Sequence, residues 1–205
     1  MNEKLIKYIE EKIFPEYSKN EEGHGINHIK TVIQRSKKLS SNLDVNQDIV
    51  YAVAAFHDIG HYIDRKNHEK VSAEIFYKNV DMKNFFTEEE RITIKEAIED
   101  HRSTLEGEPR SIYGKIVSSA DRTILDIDDA LKRAYVYGKK HFPEYNEDES
   151  RIRVREHYID KYGKNGYAKT FIKDEEYDEA LEKFRELLDN EEEFFKRLEK
   201  VIEMI

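Results

Sequence analysis

The chain of 205 residues contains no cysteine and no tryptophan, and it has only three prolines and eight glycines. The absence of cysteine excludes disulfides and thiolate chemistry, so any metal ion must be held by histidine and carboxylate side chains. No segment approaches the ~20 consecutive apolar residues of a transmembrane helix. The N-terminal sequence MNEKLIKYIEEKIF also lacks the apolar region of a signal peptide, so we expect a cytoplasmic protein.

An excess of positive charge is also missing, because 44 acidic residues face 35 basic ones and give a net charge of −9. Affinity for a nucleic acid duplex depends on clustered lysine and arginine, so this balance argues against such a partner. A small anionic substrate remains compatible, since a bound divalent cation reverses the local field. We therefore expect a small-molecule partner, no nucleic acid duplex and no membrane.

Most of the sequence follows a helical period, and no segment alternates convincingly with the period of a strand. The length suits one domain over residues 1–205, with a motif-bearing core at about 20–140 and a C-terminal helical extension at about 145–205. The predicted fold class is therefore all-α. The predicted helices span 26–40, 49–59, a segment that includes 71–76, 88–101, 111–121, 124–140, 147–162 and 177–205.

The last predicted helix carries an apolar stripe along one face. Such a stripe usually packs on the body of the same protein, and the alternative is a partner surface that forms a homodimer. The stripe consists of Leu181, Phe184, Leu188, Phe195, Leu198 and Ile202.

Histidine and aspartate occur on or beside the apolar faces of three predicted helices, as His28, as the doublet His57–Asp58 and as Asp121. An ionised aspartate without partners in a core costs several kcal/mol. Convergence on one cation removes that cost. Two imidazoles and two carboxylates suit a divalent ion such as Mn, Fe, Co, Ni, Zn or Mg. Taken singly, each group has an ordinary alternative as a hydrogen-bonded core histidine, a helix cap or a surface charge.

The order H…HD…D, set in HGINHIKTV, AAFHDIGH, HEKVSAEI, IEDHRS and VSSADR, resembles the HD-domain metal-dependent phosphohydrolases. The resemblance covers roughly residues 20–140 and implies a helical bundle with the metal between core helices. It implies His28, His57, Asp58 and Asp121 as the metal ligands. The chain is most similar to stand-alone HD hydrolases of about 200 residues, some of which are nucleotide pyrophosphatases.

Further histidines accompany these ligands. His61 lies four residues after His57, so the two are expected on the same helix face. It is predicted to act as a general acid or a phosphate contact, and the alternative is a solvent-facing residue beyond a helix end at Gly60. By resemblance, His68 and His101 match positions that hold a second ion in two-metal members and contact phosphate in one-metal members. Asp58 is a candidate to accept the proton of the attacking water, and His101 is an alternative acid to His61.

A phosphoryl substrate needs cations to offset the charge on its oxygens. Arg102, Lys115 and Arg122 are the positive residues nearest to the motifs, and we predict that they bind substrate. His24 lies in a glycine-containing segment four residues before His28, which favours a place at the rim of the pocket.

These observations predict metal-dependent hydrolysis of a phosphate ester or anhydride, with a nucleotide as the substrate implied by resemblance. One ion is expected, and a second would use His68 and His101. Two alternatives differ in class. One is a sensor or scaffold that binds metal or nucleotide without turnover, and the other is a di-iron oxygenase.

Overall fold

The structure is a computed structural model that describes residues 1–122 and 126–205, and these residues contain helices and loops but no strand. The all-α prediction is thereby confirmed. The chain divides into two compact units. The first unit comprises Met1–Arg122 and Thr170–Lys173, and the second comprises Thr123–Lys169 and Asp174–Ile205. The expectation of a single domain stays a prediction. Among the described residues, no helix combines the length and apolarity needed to cross a membrane.

The first unit begins with a short α-helix that continues into a π-helical turn and a 3-10 helix, and five longer α-helices follow. In chain order its helices are α1 (Glu3–Tyr8), a π-helix (Ile9–Ile13), 3-10 helices (Phe14–Lys19 and Glu22–His24), α2 (Ile26–Ser40), α3 (Gln47–Phe56), α4 (His68–Lys78), a 3-10 helix (Val80–Asn84), α5 (Glu88–Glu99) and α6 (Ile112–Asp121).

Helix α3 is the centre of this unit. Every residue from Ile49 to Phe56 is buried, as the nearly continuous apolar sequence predicts for a helix enclosed on all sides. α3 packs against α2, α5 and α6, and Phe56 meets Phe76 of α4 edge to face at 5.2 Å between ring centroids. Thr87 and Glu90 form a capping box at the start of α5.

Helix α3 ends at Phe56 and not at residue 59 as predicted. The Nδ1–H of His57 donates to the carbonyl of Ala54 at 2.8 Å, which satisfies one of the free carbonyls at the helix C-terminus. His57 and Asp58 therefore lie in a turn over residues 57–63, directly after the helix rather than inside it.

The expectation that His61 shares a helix face with His57 is wrong for the same reason. The turn instead lies tightly against α4, where the amide of Gly60 donates to Ser72 Oγ at 2.9 Å. A Cβ atom at Gly60 would lie 2.7 Å from the Val71 side chain and 2.8 Å from the Ser72 amide. Glycine is therefore required at this point of close approach.

The described residues of the second unit form four α-helices, and the predicted single helix over 177–205 is divided into two. The division lies at Asn190, whose backbone is extended and whose side chain accepts from the amide of Glu193 as an N-cap. The predicted helix 124–140 is observed from Ile127, and residues 124 and 125 lie outside the described range. The helices are α7 (Ile127–His141), α8 (Glu147–Tyr162), α9 (Glu175–Asp189) and α10 (Glu191–Glu203).

The apolar stripe of α9 and α10 packs within the second unit. Leu181, Phe184, Leu188 and Leu198 are buried in its core, and Phe195 and Ile202 pack partly against it. This placement agrees with the interpretation that the stripe faces its own core. A homodimer stays a prediction.

Candidate metal centre

The four predicted ligands come from three elements of the first unit and meet at one point. His28 is in the first turn of α2, the doublet follows α3, and Asp121 is the last residue of α6. His28 Nε2 lies 3.1 Å from Asp121 Oδ1, 3.3 Å from His57 Nε2 and 3.6 Å from Asp58 Oδ2. His57 Nε2 lies 3.5 Å from Asp58 Oδ2 and 3.7 Å from Asp121 Oδ1. Their role as ligands stays a prediction.

Three imidazoles of the centre are oriented by their own backbone. In each, Nδ1 contacts the carbonyl three residues earlier. Because a carbonyl oxygen only accepts, Nδ1 carries a proton, and in the neutral ring Nε2 then presents a lone pair to the centre. The pairs are His57 with Ala54 at 2.8 Å, His68 with Arg65 at 3.0 Å and His101 with Ile98 at 2.7 Å.

Asp58 connects the four predicted ligands to two more histidines. Its Oδ1 is buried and makes no hydrogen bond with the described residues. Nε2 of His68 and of His101 lie 3.3 and 3.4 Å from this oxygen and 3.2 Å from each other. The two oxygens of Asp58 therefore face different pairs of imidazoles.

His24 is part of the centre, although the sequence places it only at a pocket rim. Its Nδ1 donates to Asp58 Oδ2 at 2.7 Å, and its ring stacks on that of His61 with 3.9 Å between centroids. His61 is buried, and its imidazole makes no hydrogen bond with the described residues. In the sequence, the spacing of four residues before His28 indicates that His24 belongs to the centre. In the structure, a 3-10 helix over Glu22–His24 leads into α2.

The charges of the centre are those that a cation requires. Burial raises the pKa of Asp121, but the hydrogen bond and charge of His28 and the charge of His57 outweigh it, and the pKa lies far below its ordinary value. Burial likewise opposes ionisation of Asp58, yet the charge that His57 takes up in acid and the hydrogen bond from His24 hold its pKa well below the ordinary value. Burial lowers the pKa of His57 to about 4, so the ring is neutral at pH 7 and becomes charged only in the acidic range where the carboxylates would otherwise take up a proton.

Two of the predicted substrate-binding cations are engaged with protein groups. The guanidinium of Arg102, partly exposed, donates to the carbonyl of Lys66 and to Glu69 Oε2. Lys115 pairs with Glu108 at 2.7 Å, and among the described residues it contacts none of the candidate ligands. The substrate contacts of both residues stay predictions.

Arg122 is only 4% exposed, so its side chain lies inside the first unit. Its guanidinium donates to the carbonyl of His101 and to Ser118 Oγ, both at 3.0 Å, and lies 3.6 Å from Asp121 Oδ2. This placement favours support of the centre over contact with substrate. Arg35, which the sequence analysis does not single out, donates to the backbone of the same region.

The donor set fits a divalent cation. The Nε2 atoms of two histidine pairs, His68 with His101 and His28 with His57, lie 3.2 and 3.3 Å apart, and a buried carboxylate oxygen has no hydrogen bond among the described residues. Such an arrangement is repulsive unless a proton or a cation lies between the groups. Three donor groups have ligand atoms within 4.8 Å of one another: His24–His28–Asp58, His28–His57–Asp121 and His57–Asp58–His101.

The comparison with family models agrees with this composition. The family model of the HD domain matches residues 25–126. The structure is similar to the crystal structure of a predicted HD superfamily hydrolase from an uncultured Thermotogales bacterium, with 21% identity and a TM-score of 0.47. The similarity covers 76% of this chain and 83% of that chain. No curated protein matches the chain significantly.

Proposed function

Because the family model of the HD domain matches residues 25–126, we propose that the chain is a metal-dependent phosphohydrolase acting on a phosphate ester or anhydride. The observation that carries the proposal is the convergence of His28, His57, Asp58 and Asp121. Each of the two Nε2 atoms lies 3.1–3.7 Å from an oxygen of both carboxylates and 3.3 Å from the other Nε2. These residues would hold one divalent ion. His68, His101 and the second oxygen of Asp58 would supply donors for another.

The cation supplies two effects when bound: it polarises a phosphoryl oxygen, and it lowers the pKa of a water molecule. The protein supplies the rest. The ionised carboxylates of Asp58 and Asp121 and the neutral ring of His57 keep the centre anionic, which favours the cation. Asp58 is a buried carboxylate of the centre itself and would accept the proton of the attacking water.

His61 is the residue best suited to protonate the leaving oxygen. Its imidazole is not committed to a hydrogen bond with the described residues, whereas the Nδ1 of His101 donates to a backbone carbonyl. Burial lowers the pKa of His61 to about 4, so the ring is neutral at pH 7. The negative charge of a bound phosphoryl group would raise this pKa and favour the protonated acid.

A nucleotide is the proposed substrate, on the resemblance to stand-alone HD hydrolases. The excess of acidic residues in the chain supports a small substrate recognised through the cation, since a basic surface for long polyanions is lacking.

The test pairs metal analysis with a substrate screen. Protein purified without chelator is analysed for Mn, Fe, Co, Ni, Zn and Mg, and phosphate or pyrophosphate release is measured with nucleoside mono-, di- and triphosphates, phosphomonoesters and cyclic dinucleotides. We expect His57→Ala and Asp58→Ala to lose metal and activity together while remaining helical by circular dichroism. His141→Ala, on an exposed position of α7, is the matched control and should keep both.

The role of His61 has a separate test. His61→Gln should keep its metal and lose about 10²–10⁴-fold in turnover, the range for a general acid. Metal bound in stoichiometric amount with no release from any substrate would instead favour the sensor or scaffold.

A di-iron oxygenase is a second candidate, favoured by the two-sided position of Asp58 between His28–His57 and His68–His101. It predicts two irons per chain, an optical band of bound iron and oxygen uptake with an organic substrate. The oxygenase is excluded if the iron-loaded protein releases phosphate from the screened phosphorylated compounds and consumes no oxygen.

A further inference from the structure

We infer that two buried arginines, Arg35 and Arg122, are positioning residues that hold three ligand-bearing elements of the metal centre at fixed separations. The inference rests on the proposed function, because it assigns these residues a role toward the proposed ion. Both side chains are buried, with Arg35 8% and Arg122 4% exposed. Burying a guanidinium is costly unless acceptors offset the lost hydration, so the acceptors that these two arginines contact show what they support.

Arg35 connects the helix of His28 to the helix end of Asp121. It lies seven residues after His28, two helical turns along α2, and therefore on the same face. Its Nε donates to the carbonyl of Ala120 at 2.9 Å, and its Nη2 contacts the carbonyl of Arg122 at 3.3 Å. These carbonyls flank Asp121 on both sides. The α6 C-terminus, whose last carbonyls lack partners within the helix, is thus fixed against α2.

Arg122 continues the connection from α6 to the segment that follows α5. One arm of its guanidinium donates to the carbonyl of His101 and the other to Ser118 Oγ, both at 3.0 Å. The same group lies 3.6 Å from Asp121 Oδ2, while Asp121 Oδ1 faces His28 at 3.1 Å. Arg122 therefore orients the carboxylate of one predicted ligand and holds the backbone of another donor residue.

The two side chains act in series, from α2 through the end of α6 to the segment after α5. His28, Asp121 and His101 are each carried by one of these three elements. A planar fork with several donors can hold two acceptors at once, and lysine cannot reproduce this geometry. The pair consequently sets the distances between the three ligand-bearing elements.

The test measures Mn²⁺ binding by calorimetry and by metal analysis, with no turnover involved. Arg122→Met and Arg35→Met remove the donors while keeping an unbranched apolar chain. We expect each to bind Mn²⁺ about 10–100-fold more weakly, the range for residues that orient metal ligands. Arg122→Lys should fall between wild type and Arg122→Met. The matched control is Arg91→Met: Arg91 is 4% exposed and pairs with Glu88, distant in its contacts from the candidate ligands.

Thermal unfolding of each variant separates positioning from general stability. The inference holds if Arg91→Met lowers Tm as much as Arg122→Met and keeps wild-type Mn²⁺ affinity. It is overturned if Arg122→Met and Arg35→Met bind as tightly as wild type, or if Arg91→Met loses the same affinity. If Arg122→Met fails to fold, the Mn²⁺ affinities of Arg122→Lys and Arg35→Met test the inference instead. A wild-type protein that binds no divalent metal would overturn the proposed function itself, a result distinct from equal binding by wild type and variants.

Discussion

The two compact units are built from similar amphipathic helices, yet they differ in what they bury. The second unit has an apolar and aromatic core in which Tyr158 and Tyr162 pack around Phe184. Its buried polar residues, among those described, are Ser150 and Asp174. The first unit buries His57, Asp58, His61, His68, Arg91, Asp100, His101, Arg35 and Arg122.

The apolar core of the second unit is explained by stability, whereas the buried polar groups of the first unit indicate a function. An apolar core needs no partner beyond itself, and the second unit follows that rule. The first unit places carboxylates and imidazoles where water cannot solvate them, which is unfavourable unless a proton or a cation neutralises the charge. Buried groups of this kind are typical of a functional site.

The largest expected effect comes from Asp58, whose two oxygens face different pairs of imidazoles. Asp58→Ala should lose most of its bound metal, because two of the three donor groups contain Asp58 and, among the described residues, no other carboxylate faces both pairs of imidazoles. Metal content per chain is the measurement. Asp174→Ala removes a buried carboxylate of the second unit that caps α9. This control should keep its metal and lose about 1 kcal/mol of stability. Full metal content in Asp58→Ala would contradict the assignment.

Truncation of one core ring in each unit should cost a similar amount. Phe76 and Phe184 are fully buried, so Phe76→Ala and Phe184→Ala should each lower the free energy of unfolding by about 3–5 kcal/mol. Urea unfolding followed by circular dichroism measures this loss. A change of about 0.5 kcal/mol, typical of a surface position, would show that the ring is not part of a packed core.

Metal binding should then distinguish the units. At a free Mn²⁺ concentration of 100 times Kd, the first unit should gain about 2.7 kcal/mol of stability, because the ion binds only the folded state. The second unit should gain nothing. Hydrogen exchange of backbone amides, read separately over α2–α6 and α7–α10, measures both. Equal protection of both sets of helices would refute the confinement of the centre to the first unit.

The smallest effect concerns pH and His157 of α8. Burial lowers the pKa of His157 to about 4, whereas the unfolded chain has the ordinary value of about 6.5. The unfolded state therefore takes up a proton first as the pH falls, and stability of the second unit decreases from about pH 6.5 to about pH 4. His157→Gln should flatten this part of the profile of Tm against pH. An unchanged profile would contradict the lowered pKa.

Much of the fold follows from local sequence. Helix α2 occupies its predicted range of 26–40, because an apolar stripe at a helical period lies between Gly25 and a polar segment. The ends of helices were harder to predict. α3 ends at Phe56 because the ring of His57 donates a hydrogen bond to the carbonyl of Ala54. The spacing of apolar residues does not predict a hydrogen bond of this kind.

The break at Asn190 has a similar cause. The sequence LLDNEEEFF keeps its helical period across the break, so the pattern predicts one helix. The asparagine caps α10 instead, and α9 and α10 can then both pack on the second core.

The centre was predictable in its composition but not in its connections. His28, His57, Asp58 and Asp121 share one anomaly, polar groups beside apolar faces, and this anomaly is visible in the sequence. Arg35 carries no such signal, since an arginine in an amphipathic helix usually faces solvent. Only the packing of α2 on the end of α6 gives it acceptors.

The hydrogen bonds from His57, His68 and His101 to carbonyls three residues earlier reduce the entropic cost of binding an ion. Each ring is aimed by a stretch of four consecutive residues, so its orientation depends little on the rest of the molecule. Rings that are already immobilised lose little rotamer entropy when a ligand arrives, which is the advantage of preorganisation. Capture of an ion should therefore require only small rearrangements of these three side chains.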